Sequence, residues 1–197
     1  MPAPTVHKQT AIVLTCAALL AGVFIGWQGA MISLDSHANT PPQAVAMPSD
    51  AADPAMAQLM SQAKTLEQKA AQNPNDATAW TQLGNTYFDA GFAGRAIAAY
   101  QKSLAIDPNQ PNVLTDMGVM LRQDHKFQEA LDAFQQAAKL DPKHEQSRLN
   151  IGVVLLHDLH DKAGALKAWQ ELLTINPNAQ TSDGKPLADE VRTLQAN

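Results

Sequence analysis

Apolar residues follow two different rhythms along the chain. From Thr10 to Leu34 they run almost unbroken, TAIVLTCAALLAGVFIGWQGAMISL, with Gln28 the one strongly polar side chain. A helix of that length, rising about 1.5 Å per residue, crosses a hydrocarbon core of about 30 Å, so residues 10–34 predict a transmembrane helix. Residues 35–53, DSHANTPPQAVAMPSDAAD, hold three prolines and show no period. They predict a disordered linker with a reach of about 25 Å. Beyond Asp53 the apolar positions recur every three or four residues, as in helices with one buried face. Asp53-Pro54 supplies an N-cap and a first-turn proline, and Met56, Leu59, Met60, Ala63, Leu66 and Ala70 follow at that spacing. This is a helix over residues 54–72.

The helical pattern is then cut at regular intervals. Asn73-Pro74-Asn75, Asp107-Pro108-Asn109, Asp141-Pro142-Lys143 and Asn176-Pro177-Asn178 place their prolines 34, 34 and 35 residues apart. A fixed period of that length means stacked supersecondary units. Within the period the apolar residues align. The first unit has Trp80, Leu83, Gly84, Tyr87, Ala96, Tyr100 and Pro108. The second has Leu114, Met117, Gly118, Leu121, Ala130, Phe134, Ala137 and Pro142. In the third, Arg148 stands where a large apolar residue is expected, and Ile151, Gly152, Leu155, Ala165, Trp169 and Pro177 keep the rest.

This pattern resembles the tetratricopeptide repeat, W-x2-L-G-x2-Y followed by a small residue, an aromatic and a proline. The resemblance implies an all-α fold: a right-handed superhelix of three helix pairs over residues 77–110, 111–144 and 145–179, within a domain spanning 54–197. Small residues at Gly84, Gly118 and Gly152, and at Ala96, Ala130 and Ala165, let paired helices close on Tyr100, Phe134 and Trp169. Gly91 suits the left-handed turn between the helices of the first pair, and His125 takes that place less comfortably in the second. The extra residue of the third unit falls in HDLHDKAG and is expected to bulge that turn outward. Helices 54–72 and 186–195, the latter with Leu187, Val191 and Leu194 on one stripe, would cap the two ends.

Charge adds an orientation. Residues 9–34 carry no Asp, Glu, Lys or Arg, and everything from Asp35 onward has a net charge of −6. Lys8 before the apolar run puts residues 1–9 in the cytoplasm and the repeats across the membrane, on the periplasmic side of a bacterial inner membrane. Cleavage after Ser36-His37-Ala38 is the alternative to a retained anchor. Ala18, Gly22, Gly26 and Ala30 form a stripe of small residues that can bring two such helices together. An acidic domain repels phosphate backbones, which excludes general nucleic-acid binding. The single cysteine, Cys16, builds neither a disulfide framework nor a zinc cluster.

No catalytic constellation and no cofactor motif is present. His157, His160, Asp158 and Asp161 have metal-like spacing but no third fixed ligand, and read more simply as a solvated turn. The resemblance instead implies a groove formed by the first helix of each pair. Its positions fall on Thr81, Asn85, Phe88 and Asp89, then on Thr115, Asp116, Val119, Arg122 and Gln123. The third pair adds Gln146, Leu149, Asn150, Val153, Leu156 and His157. Apolar Phe88, Val119, Leu149 and Val153 among them suit an extended or helical peptide. Arg122 is the main cation of the middle repeat. Relatives that grip chaperone tails use two lysines, two asparagines and an arginine there; only Asn85 matches, with Thr81, Asp116, Gln146 and Asn150 in the other places. The layout also resembles the tetratricopeptide subunits of c-type cytochrome maturation, through the anchor, QNPND and Ala168-Trp169-Gln170. These readings imply a non-enzymatic scaffold for protein partners, an apocytochrome holder, or a self-assembling structural protein.

Overall fold

The computed structural model describes residues 53–196, and all of these are in one helical array. The transmembrane helix 10–34, its small-residue stripe and nearly all of the linker lie outside the described residues. Among the described residues no helix is long and apolar enough to cross a membrane.

Eight helices follow in order: α1 Pro54–Gln72, α2 Ala77–Asp89, α3 Ala93–Ile106, α4 Pro111–Gln123, α5 Phe127–Leu140, α6 Glu145–Val153, α7 Lys162–Ile175 and α8 Leu187–Ala196. The tight pairs are α2/α3, α4/α5 and α6/α7, and each pair leans on the next. Helix α1 packs on α2 as the front cap. The starts follow the local chemistry: Asp53 accepts from the Ala55 N–H at 3.0 Å, Asp76 from Ala79 at 3.0 Å, and Pro111 opens α4.

The recurring proline turns have a common cause. The side-chain oxygen of Asp107, Asp141 and Asn176 accepts from the N–H two residues on, at 2.9–3.0 Å. Each helix pair thus ends in an Asx turn around a proline that cannot continue the helix. A second tie crosses the next turn. The Trp80 indole donates to the Pro74 carbonyl at 2.9 Å, and the Arg148 Nε donates to the Pro142 carbonyl at 2.9 Å. Arg148 therefore keeps the polar half of what Trp80 does, which is why the substitution is compatible with the array.

The core follows the repeat. Tyr100, Phe134 and Trp169 are buried, each against the glycine of its paired helix. A Cβ on Gly118 would lie 2.6 Å from Phe134, and one on Gly152 2.1 Å from Trp169, so no larger residue fits without movement. Gly91, at φ 73°, makes the first helix-to-helix turn. His125 and His160 make the other two at 58° and 57°.

The extra residue of the third repeat is not where the sequence placed it. From Gly118 to Gly152 the offset is 34 residues; from His125 to His160 it is 35. The insertion therefore falls inside the helix, and there α6 widens into a π-helical turn over Val154–Asp158. Its wider hydrogen bonds run from Leu159 N–H to Val154 O at 2.9 Å and from Asp161 N–H to Leu155 O at 2.7 Å. The bond from Asp161 to Leu155 spans one residue more than its counterparts from Phe92 to Tyr87 and from Lys126 to Leu121.

Candidate functional site

The groove face of α2, α4 and α6 is built from residues the repeat leaves outside its core. The structure sorts them differently from the sequence. Thr115 is 2% exposed, and its hydroxyl donates to the Pro111 carbonyl at 2.8 Å, so it is closed off from any partner. Thr81 is half-buried in a network: its hydroxyl meets that of Ser103 at 2.6 Å, and the Gln110 amide donates to the same Ser103 hydroxyl at 3.0 Å. It forms the floor of the groove rather than a contact.

The four apolar positions are taken by the chain itself. Phe88 and Val119 pack on the core built around Tyr100 and Phe134. Leu149 and Val153, with Leu156, pack against Leu187, Val191 and Trp169. Helix α8 packs on α7, and Leu149 and Val153 stay half-buried at the edge of a small concavity. Periodicity shows which face of a helix is apolar; it does not show what covers that face.

Arg122 is not free either. Its guanidinium pairs with Asp158 of the π turn, Nε to Oδ2 at 2.5 Å and Nη2 to Oδ1 at 3.3 Å. Asp161 caps α7 by accepting from Gly164 N–H at 2.9 Å, His160 makes the left-handed turn, and His157 is exposed. The His/Asp run is thereby spread over structural tasks. Among the described residues no group of three or more His, Cys, Asp or Glu is placed to hold a metal ion.

The larger opening on the groove face is polar and lies in the first two repeats. A concavity of about 570 Å³ is lined by Asn85, Asn112, Asp116, Gln110 and His144, with Thr81 and Thr115 at its floor. The Tyr100 hydroxyl donates to Asn85 Oδ1 at 2.9 Å, which leaves the Asn85 NH2 group to face outward. His144, which the sequence reading passed over, caps α6: its Nδ1 accepts from Ser147 N–H at 3.3 Å. That fixes Nε2 as the donor to Asn112 Oδ1, at 2.8 Å. No sequence signal marked it, because histidine is a rare N-cap. Burial raises the Asp116 carboxyl above the usual carboxylate value, the His144 imidazole opposes this, and the Asp89 charge adds to it. The Tyr100 hydroxyl is raised by burial and then by Asp116 and Asp89, so both carboxylates bear on one spot. Asn150 sits one repeat further on, with its amide nitrogen buried and without a partner.

A second, smaller concavity of about 340 Å³ lies at the other end, between Arg122, Leu149, Val153, His157 and the loop Thr181–Asp183. Thr181 holds that loop shut by donating to the Lys185 carbonyl at 3.1 Å.

Comparison with known proteins agrees with this architecture. Two models described as tetratricopeptide repeat match residues 75–143 and 115–180. No curated protein matches the sequence closely enough to count as a relative. A crystal structure of MamA superposes with a TM-score of 0.61 at 22% identity, over 70% of this chain and 85% of that one. The first tetratricopeptide domain of Spaghetti (RPAP3), bound to the HSP90 peptide SRMEEVD, gives 0.54 at 23% identity, over 61% and 90%. The Arabidopsis OM64 tetratricopeptide domain gives 0.53 at 15% identity, over 59% and 94%.

Proposed function

Since residues 75–180 are tetratricopeptide repeats, we propose that this chain is a membrane-tethered scaffold. It holds a protein or peptide segment in the groove of its first two repeats, at the periplasmic face of a bacterial inner membrane. One observation carries the binding reading: the concavity between α2 and α4 stays open and is lined mainly by polar side chains. A protein of this fold bound to a peptide supports a peptide ligand in kind. That peptide, SRMEEVD, is acidic, whereas the groove here is lined by Asp116 and ties up Arg122, so a different class of segment is expected. The uncharged run 10–34 and Lys8 support the tether and its orientation.

Two experiments test the two halves. A photo-reactive amino acid at Asn85 should cross-link a partner in the native envelope, and the same group at Lys139 on α5 should not. Recovered cytochromes or haem-lyase components would assign the scaffold to cytochrome maturation; recovery of a second copy would make it a self-assembling protein. An alkaline-phosphatase fusion after residue 50 should be active and membrane-bound. Activity only from a cytoplasmic reporter reverses the orientation, and a soluble periplasmic product means cleavage.

A further inference from the structure

We infer that the groove of the first two repeats holds its partner by the backbone, through two asparagine amides, Asn85 and Asn112, that the fold fixes with their NH2 groups outward. This rests on the scaffold reading above and names its ligand chemistry: the carbonyl groups of an extended segment.

Each amide is pinned by its oxygen. Asn85 Oδ1 accepts from the Tyr100 hydroxyl at 2.9 Å. That hydroxyl has a fixed place, because the Tyr100 ring is fully buried and lies against Gly84, where a Cβ would collide with it. Asn112 Oδ1 accepts from His144 Nε2 at 2.8 Å, and Nε2 carries the proton because Nδ1 accepts from the Ser147 N–H. An amide held by its oxygen keeps both N–H donors free on its other side. Both side chains are exposed and line the same concavity, and among the described residues neither NH2 group meets an acceptor in the chain. Gln110, the third amide there, is spent on the Ser103 hydroxyl at 3.0 Å and the Asp107 carbonyl at 2.8 Å.

The repeats supply their own comparison. Val119 and Phe134 stand at the places of Asn85 and Tyr100 in the second repeat, and Val153 and Trp169 in the third. The array stacks with an apolar pair at this point, so packing does not require the hydrogen-bonded one. What the polar pair adds is a donor held ready at the groove, without the ordering cost of a free side chain.

The acceptor that suits these donors is neutral. Asp116 lines the same concavity and repels a carboxylate. A backbone carbonyl carries no net charge. An extended chain presents one on the same edge every second residue, about 7 Å apart, so a single segment can serve donors on both α2 and α4.

The probe is an acetylated, amidated hexapeptide of alternating alanine and serine, which offers a backbone and little else, added to the full-length chain in neutral detergent. With asparagine 15N-labelled, nuclear magnetic resonance should show the side-chain NH2 signals of Asn85 and Asn112 shifting with one common affinity. Asn85→Asp and Asn112→Asp keep the shape and the pinning bond but put an acceptor where the donor was. Each should weaken binding about tenfold while circular dichroism shows the chain folded. Tyr100→Phe keeps the Asn85 donor and frees it, and should weaken binding about threefold. Shifts confined to other asparagines, or an affinity that any of the three substitutions leaves unchanged, overturns the inference. The Asn85 cross-link keeps the two readings apart. A partner cross-linked there while the probe moves neither signal defeats this inference and leaves the scaffold standing. Probe binding with no cross-linked partner does the reverse, and the absence of both defeats both.

Discussion

Adding one methyl group at two different glycines should move stability in opposite directions. Gly152 faces Trp169, and a Cβ there would lie 2.1 Å from Nε1, 2.4 Å from Cδ1 and 2.5 Å from Cε2. Ordinary contacts between such atoms are about 3.5–4 Å, so the ring must retreat by more than about 1 Å. It has nowhere to go: Trp169 is 2% exposed, and its Nε1 donates to the Leu149 carbonyl at 3.0 Å. Overpacking of this kind costs about 1–3 kcal/mol, and straining the hydrogen bond adds up to about 1 kcal/mol. Against that, alanine is a better helix residue than glycine by about 0.5–1 kcal/mol. The balance for Gly152→Ala is a loss of about 1–3 kcal/mol. Gly94, inside α3, has nothing within 4 Å of the same methyl position, so Gly94→Ala keeps only the backbone gain of about 0.5–1 kcal/mol. Urea unfolding followed by circular dichroism would measure both against wild type. Gly152→Ala as stable as wild type, or both variants shifted the same way, would refute the packing account and the repeat register with it.

Other substitutions probe other parts of the fold. Arg122→Ala should cost up to about 1 kcal/mol, because the pair with Asp158 is part-exposed; a double-mutant cycle with Asp158→Ala isolates it, and additive losses would mean no coupling. Arg122→Glu should cost more, since it sets a second carboxylate against Asp158. His125→Gly should gain about 1 kcal/mol by relieving the left-handed backbone, less whatever the edge contact with Phe127 contributes; a loss on unfolding curves would show that the ring contact dominates. Asp116→Asn should stabilise at neutral pH by a few tenths of a kcal/mol, the scale of ordinary surface changes. With its carboxyl raised by burial, folded Asp116 binds more protons than unfolded Asp116 in mild acid, so wild-type stability recovers as pH falls through that window. The difference between variant and wild type should therefore vanish below the ordinary carboxylate range, and a difference that persists there would point to something other than charge.

Local rules reached most of the scaffold. The cap residues, the proline turns and the 34-residue period point to α1 at Pro54–Gln72 and to pairs that start at Ala77, Pro111 and Glu145, because each of those signals acts over a few residues. The groove was legible by position but not by content. Thr115 and Leu149 sit where the repeat points outward, yet one is buried and the other is half-buried against the cluster around Trp169. Arg122 and Asp158 are 36 residues apart, and nothing in either neighbourhood announces that they meet. His144 escaped notice because its part depends on Asn112, in the preceding repeat. Contacts between repeats depend on three-dimensional stacking, which a periodic pattern implies without specifying.

The π turn at Val154–Asp158 bears on how such arrays change length. One residue added to an α-helix turns everything after it by about 100°, which here would point Ala165 and Trp169 away from Gly152. A wider turn absorbs that rotation within a single coil, so the helix pair closes in phase and α8 meets the same surface. The insertion is a phase slip that heals before the next layer begins. Its visible trace is a displaced side chain, Asp158, now within reach of Arg122 across the groove face. A repeat protein built this way can gain a residue in one unit and alter its groove there, while every other unit stacks as before.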